Sequence, residues 1–232
     1  MNRFMIVVNP DKDTDSIVTN RIQSYLEAHG AACMVRDVFH LESSDWEALK
    51  KEQFDCVLVL GGDGTLLRMA GETEDIDIPL FGINLGTVGF LTEGEVANIE
   101  EILDRLLTDD FTIEERMMVT GTVTKADGTT YRKSALNDIV ISRAGFSRLI
   151  GLNVSVDGQV LDTYEADGVV ISTPTGSTGY NLSAGGPIVS PDAELLVITP
   201  VSPHSLTAKS IVLSGKEEIT IEITKKRKTQ DT

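Results

Sequence analysis

With 232 residues, 41% hydrophobic and 24% charged, the chain has the size of one large domain or two modest ones and the make-up of an ordinary globular protein. Its 36 acidic and 20 basic residues give a formal net charge of -16, which opposes binding to nucleic acid or to an anionic membrane and requires phosphates to be bound locally, through backbone N–H groups, a few Arg or Lys and a divalent metal. No apolar run approaches transmembrane length. The opening run is too short for a secretory signal and is cut off by Pro10, while Cys33 and Cys56 show neither metal spacing nor a disulfide framework and fit a reducing cytoplasm.

The elements alternate at first. "FMIVVN" (4–9) is short and continuously apolar, as a buried strand is, and residues 14–29 carry Ile17, Ile22, Tyr25 and Leu26 at helical spacing before Gly30. A strand over "AACMVRDV", a short helix over "DWEALKKE", the strand "CVLVL", a helix from about Leu66 and the strand "IPLFGIN" (78–84) follow. This order predicts βαβ units and an open parallel sheet flanked by helices. Residues 96–107 then form a one-sided apolar helical stripe through Val96, Ile99, Ile102, Leu103, Leu106 and Leu107. Beyond it the pattern is strand. "FTIEERMMVTGTVT" and "TYRKSALNDIVISR" flank a hairpin turn at "KADG", and "LNVSVDGQVLD" makes a second hairpin at Asp157–Gly158. "DGVVIS" reads as a buried strand, "EEITIEIT" alternates cleanly, and the polar end "KKRKTQDT" reads as loose. The expected fold is therefore an α/β domain over 1–95, a linking helix over 96–110 and a β-rich, sandwich-like domain over 111–232.

Two glycine-rich runs carry the candidate chemistry. In "CVLVLGGDGTLL" a buried strand runs into Gly61, Gly62, Asp63, Gly64 and Thr65, and a helix follows. This places backbone N–H groups and a helix N-terminus at the carboxyl edge of a parallel sheet, where ligands of such sheets bind. Turn chemistry with Asp63 or Thr65 as the N-cap accounts for the same residues equally well. "DGVVISTPTGSTGYNLSAGGPIV" (167–189) sets Thr173, Thr175, Ser177, Thr178, Tyr180, Asn181 and Ser183 among glycines. So many hydroxyls and an aromatic ring suit a loop wrapped around a polar ligand. Asn137 and Asp138 in "ALNDIVIS" read as ordinary strand-capping residues, and His204 in "ITPVSPHSL" as structural.

In their order, "GGDGT" (61–65), "FGINLGTVGFLTE" (81–93), "LND" (136–138), "DGVVISTPTGSTGY" (167–180), "SAGGPIV" (183–189) and "ITPVSPHSL" (198–206) resemble the NAD kinase family. "GGDGT" is shared with lipid kinases and phosphofructokinases, whereas the threonine-rich run and "PHSL" are far more specific. The resemblance implies transfer of the ATP γ-phosphoryl group to the 2′-hydroxyl of the adenosine ribose of NAD, with Mg²⁺ accompanying ATP. It implies Asp63 as the catalytic carboxylate and Gly61, Gly62, Gly64 and Thr65 as the phosphate cradle. Asn137, Asp138, Asp167, Thr178, Gly179, Tyr180 and Ser183 would hold the nucleotide, with Asn84 nearby. A homodimer or homotetramer is implied as well, while charge and cysteine usage give the expectation of a cytoplasmic protein without nucleic-acid or membrane partners. A lipid kinase of the diacylglycerol type and a non-catalytic nucleotide sensor are the alternatives. The acidic charge opposes the first, and the presence of Asp63 opposes the second. Three departures stand out: Asp138 replaces the usual Glu, Gly179 replaces an alanine and is expected to loosen its loop, and the family's further C-terminal strands are expected to be missing after 224.

Overall fold

The computed structural model describes residues 1–51, 53–86, 89–145, 149–205 and 207–224, and these fall into two compact units, Met1–Glu114 and Glu115–Thr232. The tail expected to be loose at 225–232 lies outside the described residues, as do Thr87, Val88 and Leu206 of the quoted motifs.

The first unit runs β1 (Arg3–Val8), α1 (Ile17–Ala28), β2 (Ala32–Asp37), α2 (Ser43–Lys51), β3 (Cys56–Gly61), α3 (Asp63–Glu72), β4 (Leu80–Asn84), β5 (Gly94–Glu95) and α4 (Ile99–Leu107). Its sheet has the order β2-β1-β3-β4-β5 with every neighbouring pair parallel. The continuous apolar runs of β1 and β3 follow from covering both faces of the sheet. Phe4, Ile6, Leu58 and Leu60 point to one side, against Ile22 and Leu26 of α1 and Ile99, Leu103 and Leu106 of α4. Met5, Val7, Val57 and Val59 point to the other, against Leu49 of α2 and Leu66 and Met69 of α3. The stripe expected in a linking helix is thus core of the first unit. After β1 the chain moves outward to β2, and then returns to form β3 on the opposite side of β1. The loops leaving β1 and β3 diverge, opening a crevice at the carboxyl edge of the sheet.

The second unit is antiparallel. It contains β6 (Val119–Thr124), β7 (Thr130–Ala135), β8 (Asp138–Ser142), β9 (Ile150–Val156), β10 (Gln159–Ala166), β11 (Gly168–Ser172), α5 (Tyr180–Ser183), β12 (Leu195–Val201), β13 (Ile211–Ser214) and β14 (Ile219–Thr224). The sheets are β13-β12-β11-β8, β10-β9-β14 and the hairpin β6-β7. Val119, Leu152, Val154, Tyr164, Val169, Ile171 and Ile198 bring all three together around one core, the sandwich-like packing that alternation predicts. The hairpin at Asp157–Gly158 forms as read, both residues having positive φ (49° and 77°). The long strand expected over 130–143 breaks at Leu136 and Asn137, because Thr173 claims both carbonyls: its hydroxyl donates to Leu136 O (2.5 Å) and its N–H to Asn137 O (2.8 Å). Residues 111–118 form no strand. Phe111 packs on the first unit's core and Met117 on the second's, so this stretch is the connection. No helix among the described residues is long and apolar enough to cross a membrane.

The loop between β1 and α1 is held by two side chains. Asn9 Oδ1 accepts from the Asp11 N–H (3.0 Å), while the Asn9 N–H donates to Leu60 O on β3 (2.9 Å). The buried Asp13 carboxylate caps α1, accepting from the N–H groups of Val18 (3.2 Å) and Thr19 (2.8 Å) and the Thr19 hydroxyl (2.6 Å). Burial by itself would raise the Asp13 carboxyl, but the Thr19 and Val18 donors outweigh it and hold the group below its ordinary range. Asp13→Ala is expected to cost about 1–2 kcal/mol, as lost N-caps do. A group with a depressed folded pKa stabilises above the carboxylate range and loses that contribution on acidification. The gap between wild type and variant in urea unfolding should therefore be largest near neutral pH and close as the wild type is acidified through the carboxylate range.

Candidate active site

Helix α3 begins at Asp63, three residues earlier than its apolar pattern suggests, and Gly62, in extended conformation (φ -145°), is the N-cap. Neither Asp63 nor Thr65 caps the helix. The Thr65 side chain folds back against Gly61, leaving no room there for a Cβ. Asp63 instead turns its carboxylate toward the loop after β4, accepting from the N–H groups of Phe90 (2.8 Å) and Leu91 (3.1 Å) and from the Thr92 hydroxyl (3.4 Å). Gly89 lies so close that any side chain would run into the carboxylate. Asn84, at the end of β4 and buried, shapes the start of the same loop through Oδ1, which accepts from the Gly86 N–H (3.0 Å). Gly64 differs from its neighbours: a Cβ there would meet nothing within 4 Å. Nothing in the protein requires glycine at this exposed helical position, which faces open space at the cleft.

That cleft, about 250 Å³, opens at the crevice between the β1 and β3 loops. Asn9, Lys12, Phe39, Gly62, Asp63, Gly64, Thr65 and Arg68 line it. All four predicted cradle residues except the buried Gly61 are therefore at its wall, together with two cations that sequence reasoning missed. Arg68 lies over the Phe39 ring, 5.8 Å from its centre. The only sequence signal for either cation is a basic residue at helical or loop spacing from a glycine turn, which an acidic chain makes worth noting. Among the described residues no three His, Cys, Asp or Glu side chains gather as a metal-binding group.

In the second unit the hydroxyl-rich run is a folded scaffold rather than an open loop. Residues Thr175–Thr178 make a 3-10 turn and Tyr180–Ser183 a short helix. Many of the polar groups are spent internally. Thr173 Oγ1 accepts from the Gly176 N–H (3.1 Å), Ser177 Oγ from the Val189 N–H (3.2 Å), and Asn181 Oδ1 from the Thr199 hydroxyl (2.7 Å). Gly176 passes so near the Asn137 carbonyl that a Cβ could not fit. Gly179, expected to loosen the loop, sits in this hydrogen-bonded turn with its N–H on Gly176 O (2.9 Å). Thr178 is half-buried, and Tyr180 and Ser183 are exposed.

Asp167 and Tyr180 line a cleft of about 360 Å³ with Ser142, Arg143 and Gly168. Arg143, the one charged lining residue the sequence reading did not single out, donates from Nε to Asp167 Oδ1 (2.5 Å) and from its guanidinium to Gly145 O. Near Gly179 lie Asn137 and Asp138. Asn137 Oδ1 is buried with no hydrogen-bond partner, and the half-buried Asp138 carboxylate accepts no hydrogen bond among the described residues. Burial raises the Asp138 carboxyl above its ordinary range. Two adjacent acceptors without protein donors suit a ligand that brings hydrogen-bond donors.

Two variants test these readings. Gly64→Ala should raise the unfolding free energy by up to about 1 kcal/mol, from helix propensity, while weakening phosphate binding in the cleft. For Asp138, a raised folded pKa means that ionisation opposes folding above that pKa and ceases to do so below it. Asp138→Asn should therefore melt at or above the wild type near neutral pH, and the advantage should vanish as pH falls toward the carboxylate range of about 4.

Comparison with known proteins identifies the combination. Residues 4–111 match the family described as ATP-NAD kinase N-terminal domain, and residues 136–231 the ATP-NAD kinase C-terminal domain. The NAD kinase of Lachnoclostridium phytofermentans is 45% identical over 235 residues, covering 100% of this chain and 82% of its own. That of Agathobacter rectalis is 44% identical over 234 residues with the same coverage, 100% and 82%. Among solved structures, yeast NADH kinase complexed with NADH superposes with a TM-score of 0.81 at 25% identity, over 96% of this chain and 72% of that one. An NAD kinase from Archaeoglobus fulgidus in complex with ATP does so with a TM-score of 0.77 at 31% identity, over 95% and 80%. With both family models matched over most of the chain and relatives above 40% identity along its whole length, the chain belongs to the NAD kinase family.

Proposed function

We propose that this protein transfers the γ-phosphoryl group of ATP to the 2′-hydroxyl of the adenosine ribose of NAD, giving NADP and ADP. The observation that carries this reading is the Asp63 carboxylate, fixed at the carboxyl edge of the parallel sheet in a cleft that also holds two cations. Family membership assigns the reaction, and the ligands named for the related structures, NADH and ATP, are of the two classes the reaction requires.

In the reaction a bond forms between the ribose O2′ and the γ-phosphorus, and the bond from that phosphorus to the β–γ bridging oxygen breaks. A ribose hydroxyl is far less acidic than a carboxylic acid, whose pKa is about 4, so Asp63 does not remove its proton beforehand. It orients the hydroxyl and accepts the proton late, as the new bond forms. Phosphoryl transfer has a loose transition state, so alignment and charge neutralisation supply most of the catalysis. The Gly62 N-cap and the α3 N-terminus at Asp63 and Gly64 offer N–H groups and open backbone to the phosphates, with Thr65 at the cleft wall. With no metal-binding cluster among the described residues, Mg²⁺ would be held chiefly by the ATP phosphates, where it neutralises charge. Asn137 Oδ1 and the Asp138 carboxylate suit donors on the nucleotide, its amine and ribose hydroxyls; the family resemblance adds Thr178, Gly179 and Ser183, and Asp167 and Tyr180 line the cleft of this unit.

Incubation with ATP, Mg²⁺ and NAD should form NADP, read with an NADP-specific dehydrogenase. No NADP from a folded preparation would refute the assignment. Asp63→Asn should lower kcat by at least about a hundredfold, the usual worth of a positioned acid or base. It should also cost about 1–2 kcal/mol of stability, because its NH₂ would face an N–H of Phe90 or Leu91. Full turnover in this variant would remove Asp63 from the chemistry.

A further inference from the structure

Lys12 is one of two cations at the wall of the cleft around the glycine turn. In a chain with 36 acidic residues against 20 basic, Arg21, Arg36, Lys51, Arg105, Arg143 and Lys216 each pair with a carboxylate. The Lys12 ammonium has no hydrogen-bond or ion-pair partner among the described residues, although the cleft it lines contains Asp63. Its position is nevertheless defined. The loop bearing it is pinned on one side by Asn9, whose carbonyl accepts the Lys12 N–H (3.0 Å), and on the other by Asp13, which caps α1. From there the side chain crosses the β3 loop. Its Nζ would lie 2.8 Å from a Cβ on Gly62 and 3.8 Å from one on Gly86. The ammonium thus hangs over the bare backbone of the helix N-cap, between the loops that follow β3 and β4, one residue from Asp63.

An unpaired ammonium above a glycine N-cap, in a protein of charge -16, is a site built for an anion that arrives with its own negative charge. We propose that Lys12 is the positioning residue for the phosphate chain of the donor, closing the cradle from above while the α3 N-terminus receives it from below. Three ammonium donors on a flexible stem suit a chain of tetrahedral phosphates that shifts during transfer. A carboxylate partner would have neutralised the cation beforehand. Its lack of one leaves the charge available to offset the triphosphate that must come beside Asp63. This inference rests on the kinase reading above, since it takes the cleft's ligand to be the phosphoryl donor.

The test compares the full chain with Lys12→Met and Lys12→Arg by calorimetric titration of ATP, inorganic tripolyphosphate and NAD, each with Mg²⁺, alongside steady-state kinetics. Lys12→Met should bind both ATP and tripolyphosphate about tenfold or more weakly, the scale of a lost charge-assisted hydrogen bond. NAD affinity should stay within about twofold, KM for ATP should rise more than kcat falls, and Lys12→Arg should recover most of the loss. The unfolding midpoint should not move, because Lys12 is exposed and unpaired. A Lys12→Met variant that binds ATP as well as the wild type, or that loses ATP and NAD affinity alike, overturns the assignment. Failure of the wild type to make NADP would instead strike the kinase reading and leave the binding comparison interpretable.

Discussion

Two backbone N–H groups and a threonine hydroxyl from the loop after β4 grip the carboxylate of Asp63, and the phosphate cleft is arranged around that grip. Three glycines have separate physical tasks in making it possible. Gly61 gives way to Thr65, Gly62 ends the strand and starts the helix, and Gly89 clears space for the carboxylate itself. Behind Asp63, Leu66 and Met69 bury α3 against the sheet, so the carboxylate is mounted on an element that cannot move without disturbing the core. The substrates must therefore come to Asp63.

Charge sets the second constraint. An overall -16 would repel a triphosphate and a dinucleotide alike, and long-range steering cannot help. The structure answers locally, in two different ways. At the sheet edge it supplies a helix N-terminus and the cations Lys12 and Arg68. In the second unit it supplies acceptors in need of donors, Asn137 and Asp138, and ties the nearby Asp167 to Arg143 so that this carboxylate carries less uncompensated charge.

The sequence was most readable where burial alone dictates pattern. The two-faced apolar runs of β1 and β3 announced a covered parallel sheet, and Asp157–Gly158 announced its hairpin, because both signals are local. It was least readable where distant segments meet. The break between β7 and β8 is imposed by Thr173, some 36 residues later, through Leu136 O and Asn137 O. The grip on Asp63 joins residues 27 to 29 positions apart, and no spacing rule would pair them. The hydroxyls at 173–181 looked alike as letters. Only the fold separates Thr173, Ser177 and Asn181, which hold the scaffold together, from Tyr180 and Ser183, which remain outward, with Thr178 half-buried between them. Lys12 and Arg143 were invisible for the same reason, since each acquires meaning from a neighbour elsewhere in the chain.

The loop that grips Asp63 also has an unusual surface. The Phe90 side chain is 82% exposed, yet its N–H is bonded to a carboxylate. Amide protons on exposed loops ordinarily trade with water at once, and their resonances are silent about distant events. Here the Phe90 and Leu91 amides carry the position of the carboxylate into the backbone spectrum: their chemical shifts and isotope-exchange rates follow any turn of Asp63 toward a substrate. The chain thus contains its own pair of reporters, readable without a label and placed one hydrogen bond from the reaction.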